Sequence, residues 1–474
     1  MSTFLLDGQF VETPALLTIT SPWPGVQCEP APAVSPEQAR VAARAAARVF
    51  PELRAMTRFK RSEALRKISD EISKNAARIA LEICHEAGKP MALSHGEVQR
   101  AVKTFLWAAE EALRTPGDIV YPDRETQGAG MSGRVEYFPI GPILGITPFN
   151  FPINLVAHKV APALAAGCPI VIKPPQQAPR AALMLAEIVF KSGLPPASLH
   201  VLPGGPELGK ALCACPEFAA VSFTGSARAG WAIKQGALQR QKVLLELGGN
   251  AAAIVDQSAD LDAAVAAIAN AGYVYAGQVC IKTQRVFVHR AVADEFERKL
   301  AERILRGVGV SDKPSDENAL VGPLIDKASA DRVQAWVDAA IAAGANVLVR
   351  GERRGEKQIT PWLLEAVPPD QSVACEEVFG PVVTFDVVKD FEEGIARANA
   401  TKYGLQASVF TQSLRNAELA YRQLECGAVL VNVPTTFRLD SSVYGGVKDS
   451  GFGREGLAIV IREFSEAKLM VVKP

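Results

Sequence analysis

Residues 141–174 read GPILGITPFNFPINLVAHKVAPALAAGCPIVIKP. Two short apolar runs, GPILGITPF and CPIVIKP, are bounded by glycine and proline, and a longer run, INLVAHKVAPALAAG, lies between them. Short apolar runs closed by such breakers read as buried strands, and the longer one reads as a crossover helix. Strand, helix and strand in that order is the repeating unit of a parallel sheet. The unit continues in LHVLPG (199–204) and AAVSFTG (219–225), separated by helical stretches such as ALMLAEIVFKSG (182–193). A second alternation begins at NAAAIV (250–255). It runs through RVFVHR (285–290), ANVLVR (345–350), VVTFDVV (382–388), LQASVFT (405–411) and GAVLVN (427–432). The pattern predicts a doubly wound parallel sheet followed by a second α/β domain.

Upstream, the first 115 residues read as mostly helical. SPEQARVAARAAARVF (35–50) opens with Ser35 as N-cap, Pro36 at the first helical position and Glu37 in the first turn. In residues 57–88 Leu65, Ile68, Ile72, Ile79 and Ile83 form one helical stripe that Gly88 ends. EVQRAVKTFLWAAEEALR (97–114) continues the helical period. No internal repeat and no low-complexity linker interrupts the chain.

The bulk composition narrows the function classes. A chain of 474 residues exceeds one core, so two or three domains are expected. Apolar content of 48% and charged content of 22% fit an ordinary globular protein, and a formal net charge of zero offers no nucleic-acid or anionic-membrane footprint. The start, MSTFLLDGQF, does not read as a signal peptide, and no apolar stretch is long enough for a membrane span. Eight cysteines in such a chain are expected as reduced thiols in a cytoplasm. None form CxxC pairs, and Cys213 and Cys215 are too close together and too far from histidine to suggest a metal site.

Four stretches carry candidate chemistry. AGQVCIKTQR (276–285) places Cys280 after a helix and a turn, where a thiolate would need amide donors or positive potential. LLELGGN (244–250) runs a strand into two glycines, with Glu246 at the strand end where ligands bind in open α/β sheets. VSFTGSARAG (221–230) is a strand, a Thr-Gly-Ser turn and a helix start able to take a phosphate. ITPFNFP (146–152) holds the Asn150 amide in a rigid loop suited to an oxyanion donor. Each alone is also what a core cysteine, a surface carboxylate, a capped helix or a turn asparagine looks like.

Together they resemble a family. TPFNFP, IKP, FTGS, ELGGN, GQVC, EEVFGPV and GGVKDSGFGREG occur in the order seen in the aldehyde dehydrogenase superfamily, over essentially the whole chain. NLVAHKVAPALAAG and YGGVKDSGFGREG are most similar to the branch of lactaldehyde- and phosphonoacetaldehyde-type dehydrogenases. The resemblance implies a Rossmann-like dinucleotide-binding domain (1–117 and 138–247), a catalytic α/β domain (248–433) and a small β oligomerisation arm (118–137 and 455–474). The apolar tail SEAKLMVVKP would need a cover, and the expected cover is a partner subunit in a homodimer or homotetramer.

The resemblance also implies roles. Cys280 would attack the aldehyde to form a thiohemiacetal, with the Asn150 amide and the Cys280 N–H holding the oxyanion. After hydride transfer to NAD or NADP, Glu246 would activate the water that hydrolyses the thioester, giving a free acid. Thr147, Pro148, Phe149, Lys173, Gln176, Thr224, Gly225, Ser226, Leu247, Glu377 and Phe379 would bind the cofactor. Two of these depart from the family pattern. Gln176 stands where a ribose-binding glutamate is usual, which leaves NADP open beside NAD, and Phe149 replaces a common tryptophan. By the same resemblance Arg100 matches an arginine directed at a substrate anion, His158 matches a substrate-pocket histidine of the phosphonoacetaldehyde type and Arg438 falls in the loop that lines the substrate mouth. The expected substrate is therefore a small aldehyde bearing a phosphonate, sulfonate, phosphate or carboxylate. Val279 stands where phosphonoacetaldehyde-type enzymes carry an arginine, which keeps a lactaldehyde or a semialdehyde as the alternative. A cofactor-free cysteine hydrolase is the reading from another class, but none of the five histidines has a motif that ties it to Cys280.

Overall fold

The computed structural model describes residues 2–114 and 117–474; Met1, Thr115 and Pro116, inside the expected first domain 1–117, lie outside the described residues. The stretch 141–174 folds as strand Ile143–Ile146, helix Asn154–Ala166 and strand Ile170–Lys173, with the two strands parallel. Every residue of that helix is buried, which is why it is apolar almost all round.

Leu199–Val201, Ala220–Thr224 and Lys242–Glu246 extend the sheet in parallel, and Gly451–Phe452 closes one edge antiparallel. The chain builds the sheet from Ile143–Ile146 outward to Leu199–Val201. It then returns to add Ala220–Thr224 on the other side of the first strand. A crevice opens at strand carboxyl ends where the order reverses in this way. Thr147 and Gly225 are the residues that leave the two strands flanking it. Both faces of the sheet are covered. Ile143, Ile170 and Ile172 pack with Leu65, Ile68, Ile72, Ile79 and Ile83 on one face. Leu144, Val171 and Val221 pack with Ala39, Ala42, Ala43 and Ala46 on the other. Neighbouring residues of each strand thus serve opposite layers, as the pleat requires.

The second sheet runs Asn346–Val349, Trp362–Glu365, Val382–Val388, Arg285–His289, Ala252–Val255, Gln406–Phe410, Ala428–Val431, all parallel except the first. Trp362–Glu365 is a strand the sequence reading missed, because WLLE is only four residues long and follows a proline.

Two expectations need correction, and one element ahead of the helices was missed. The missed element is an amino-terminal hairpin, Ser2–Leu6 with Gln9–Thr13, turned by Asp7 and Gly8 at φ 51° and 74°. Asp-Gly between two strand-like runs was the available signal. The stripe of residues 57–88 is two helices, Arg58–Lys74 and Ala76–Ala87, broken at Asn75, whose side-chain amide donates to the Glu71 carbonyl at 2.8 Å. The expected carboxyl-terminal arm segment, 455–474, divides. Leu457–Glu463 is a helix that buries Leu457, Val460 and Ile461 in the first core. Only Ser465–Val472 pairs with Ser132–Pro139, which in turn pairs with Gly117–Val120 in a three-stranded antiparallel sheet. No helix of the described residues is long and apolar enough to cross a membrane.

Candidate active site

The chain passes from one sheet to the other through Leu247–Gly248–Gly249–Asn250, between strands Lys242–Glu246 and Ala252–Val255. A methyl group on Gly248 would run into the Glu377 carboxylate, and one on Gly249 into the Cys280 carbonyl. The paired glycines therefore let three separate segments meet. The Gly249 N–H donates to Glu377 Oε1 at 3.2 Å.

Cys280 follows helix Leu261–Tyr273 through three consecutive left-handed residues, Tyr275, Ala276 and Gly277, at φ 54°, 53° and 72°. Two of these are not glycine, and such backbone persists only where its surroundings fix it. Here the Tyr275 hydroxyl donates to the Ala87 carbonyl at 2.5 Å, and Gly277 lies too close to the Gly380 backbone for any side chain. The turn sets Cys280 in the wall shared by two cavities. One, of about 320 Å³, is lined by Arg100, Phe151, Leu155, Arg438 and Tyr444. The other, of about 770 Å³, is lined by Pro148, Phe149, Asn150, Thr224, Gly225, Ser226, Leu247, Glu377 and Phe379. A side chain in the wall between a smaller and a larger chamber can meet a molecule in each.

Burial pushes the Cys280 thiol up to about 11; Tyr444 and Arg438 pull it down, while Glu377 and Glu246 push it further up. The Asn150 side chain donates from Nδ2 to the Gln278 carbonyl at 3.0 Å, which leaves its second N–H for another acceptor. Glu246 ends its strand and is buried, but neither cavity wall includes it. Its Oε2 has no partner. Burial first, and Glu455 second, hold its carboxyl well above the usual carboxylate range, against Arg438, Lys159 and Arg454.

The larger cavity fits a dinucleotide. Ser226 is the N-cap of helix Ala227–Gly236, yet its side chain makes no capping bond, so the first-turn amides keep their capacity for an anion. The Thr224 hydroxyl and the Trp231 indole nitrogen are buried without partners beside it. Phe149 and Phe379 meet edge to face, with centroids 5.9 Å apart. Thr147 donates its N–H to the Lys173 carbonyl at 3.2 Å. Lys173 and Gln176 lie outside this cavity, against Gly209 and Gly205, and burial lowers the Lys173 ammonium to about 8.

A model described as the aldehyde dehydrogenase family matches residues 11–470. The chain belongs to the aldehyde dehydrogenase family. A 3-sulfolactaldehyde dehydrogenase of Priestia aryabhattai is 40% identical to it over 415 residues, covering 87% of this chain and 86% of that one. Aldehyde dehydrogenase 21 from Physcomitrella patens, solved in complex with the reaction product succinate, superposes with a TM-score of 0.96 at 36% identity, over 99% of this chain and 98% of that one. The glyceraldehyde-3-phosphate dehydrogenase GapN of Methanocaldococcus jannaschii, solved with NADP, gives 0.92 at 33% identity, over 97% and 99%. The protein is thus an NAD(P)-dependent aldehyde dehydrogenase with the fold of that family.

The substrate-side residues are arranged differently from the expectation of a free anion clamp. Arg100 gives Nε and Nη2 to Asp440 at 3.0 and 2.6 Å, and His158 Nε2 lies 2.8 Å from the same carboxylate. His158 is buried behind Asp440 and does not line the small cavity. Burial, then Arg438, lower its ring, so it is neutral at neutral pH and serves Asp440 rather than a substrate. Arg438 donates from Nη2 to Glu455 at 3.1 Å, and Glu455 also accepts from Lys159 at 3.1 Å. Lys89 at the cavity wall is paired with Glu97. Sequence reasoning missed Asp440, Glu455, Tyr444, Lys89 and Glu97. None has a spacing that ties it to Cys280, and Glu455 and Tyr444 were quoted only as letters of the GGVKDSGFGREG motif and its leading tyrosine.

Proposed function

We propose that this enzyme oxidises a small anionic aldehyde to its carboxylic acid through a thiohemiacetal and a thioester on Cys280. The carrying observation is the position of Cys280 in the wall between the two cavities. The Cys280 sulfur adds to the aldehyde carbon, and the oxygen that becomes negative is held by the second Asn150 N–H and the Cys280 backbone N–H. A cofactor bound in the larger cavity supplies the hydride acceptor. The acyl group then remains on Cys280 until a water, deprotonated by Glu246, releases it.

For the substrate, each cation at the small cavity already has a carboxylate partner. Arg100 nevertheless spends only two of its five N–H donors on Asp440 and is partly exposed. The opposite edge of its guanidinium suits paired oxyanion atoms. The sulfonate in the name of one relative and the succinate bound to another support an anionic aldehyde. A neutral lactaldehyde is the second reading, favoured by the internal pairing of the cations. Arg100→Ala separates the two. It is expected to lower kcat/KM for sulfonate- or carboxylate-bearing aldehydes by one to two decades, the ~1.5–3 kcal/mol of a charged hydrogen bond, and barely to change that for a neutral aldehyde. Equal losses on both would rule out the anion subsite.

Gln176 leaves the cofactor choice open, since a neutral amide repels a 2′-phosphate less than a carboxylate does. Gln176→Glu is expected to shift preference towards NAD, measured as the ratio of kcat/KM with the two cofactors; an unchanged ratio removes Gln176 from specificity. The eight unpaired cysteines support a reducing, cytoplasmic setting. Leu469, Met470 and Val471 on the exposed edge strand support a homodimer or homotetramer in which a second copy covers them.

A further inference from the structure

Tyr444 plays no part in the chemistry above, yet its hydroxyl oxygen lies 3.5 Å from Cys280 Sγ. Among the described residues that hydroxyl has no other hydrogen-bond partner. The side chain is buried, with 6% of its surface exposed, and its backbone is locked. Tyr444 and Glu455 exchange N–H···O bonds of 2.9 and 2.7 Å as an antiparallel bridge. The Glu455 carboxylate also holds Arg438, whose guanidinium carbon stands 3.7 Å from the centroid of the Tyr444 ring. One residue thus fixes both the phenol and the cation on its face. A cation there favours negative charge on the phenol oxygen, which makes the O–H a stronger donor.

We propose that Tyr444 is a further catalytic residue, donating its O–H to Cys280 Sγ and so stabilising the thiolate that attacks the aldehyde. The inference rests on Cys280 being the nucleophile. The charged groups around the sulfur show why such a donor is useful. Glu377, ahead of strand Val382–Val388, and Glu246, at the end of Lys242–Glu246, both oppose a negative sulfur; Arg438 is the cation that favours it. The Tyr444 hydroxyl is within hydrogen-bond distance of the sulfur, and its bond to an ionised sulfur is charge-assisted and so stronger than its bond to the neutral thiol. Burial holds the phenol well above its ordinary range, so at neutral pH it carries the proton it donates.

Tyr444→Phe removes only the hydroxyl and keeps the ring under Arg438. The test is the alkylation rate of Cys280 by iodoacetamide across pH, in cofactor-free protein, followed by mass spectrometry of the peptide that carries Cys280. NADH binding by fluorescence and the thermal midpoint report that the variant is folded. The expected result is a profile displaced to higher pH by about one unit, or about tenfold slower alkylation at a fixed pH below the midpoint, with NADH affinity unchanged. Superimposable profiles for the two proteins would overturn the inference. The covalent reading fails separately, if Cys280→Ala retains turnover, and the alkylation profile of Tyr444→Phe does not depend on that outcome.

Discussion

Cys280→Ala is expected to abolish NAD(P)H production, by about four orders of magnitude or more, while leaving the fold and cofactor affinity unchanged. The physical reason is the position of the sulfur. It is the one atom of Cys280 that alanine removes, and Cys280 sits in the wall of both cavities. The neighbouring turn does not depend on the sulfur, because it is held by the Tyr275 hydroxyl, by the tight Gly277–Gly380 approach and by Gln278, whose Oε1 accepts from the Ile325 N–H at 2.9 Å. The decisive measurement pairs single-turnover absorbance at the nicotinamide band with cofactor binding. Substantial residual NAD(P)H from a correctly folded variant would remove the covalent route.

The second large effect belongs to Glu246. Glu246→Gln is expected to lower steady-state turnover by two to four decades, the usual contribution of a general base, while a first burst of NAD(P)H remains. The acyl group would form on Cys280 and then wait. The amide is nearly the shape of the carboxylate it replaces, so the buried site beside Glu455 should tolerate it. The pH dependence has a definite sign. Burial and Glu455 hold the Glu246 carboxyl well above its ordinary range, so its base form grows as pH rises through that raised range. Steady-state turnover is expected to climb with pH through that elevated value, and the corresponding limb should vanish in the glutamine variant. Loss of the burst together with the steady state would place Glu246 in the first half-reaction instead.

Much of this enzyme was legible in its residues because the relevant forces are local. GPILGITPF and CPIVIKP are strands and INLVAHKVAPALAAG is a helix because apolar length and glycine or proline breakers act over a few residues. Ser35 caps its helix as read, its side chain accepting from the Gln38 N–H. ELGGN turns between the sheets because two adjacent glycines permit what no other pair would. The hairpin at Asp7–Gly8 was legible too, and was missed because the helical stripe downstream dominated the reading.

The polar network around the site is a different matter. Asp440 takes both Arg100 and His158, which stand 340 and 282 residues away along the chain. Glu455 joins Lys159 from the buried helix to Arg438, and Lys89 finds Glu97. A cation in a sequence carries no sign of whether a carboxylate already occupies it, because that depends on which loops meet in space. By itself the sequence determined the two sheets and the family, and it pointed to the candidate residues of the reaction. Only the tertiary structure decided which charges are spent on one another, that burial raises the Glu246 carboxyl above its ordinary range, and that a tyrosine stands within hydrogen-bond reach of the sulfur. Burial and long-range pairing set the protonation state of a group, and both are properties of the folded chain alone.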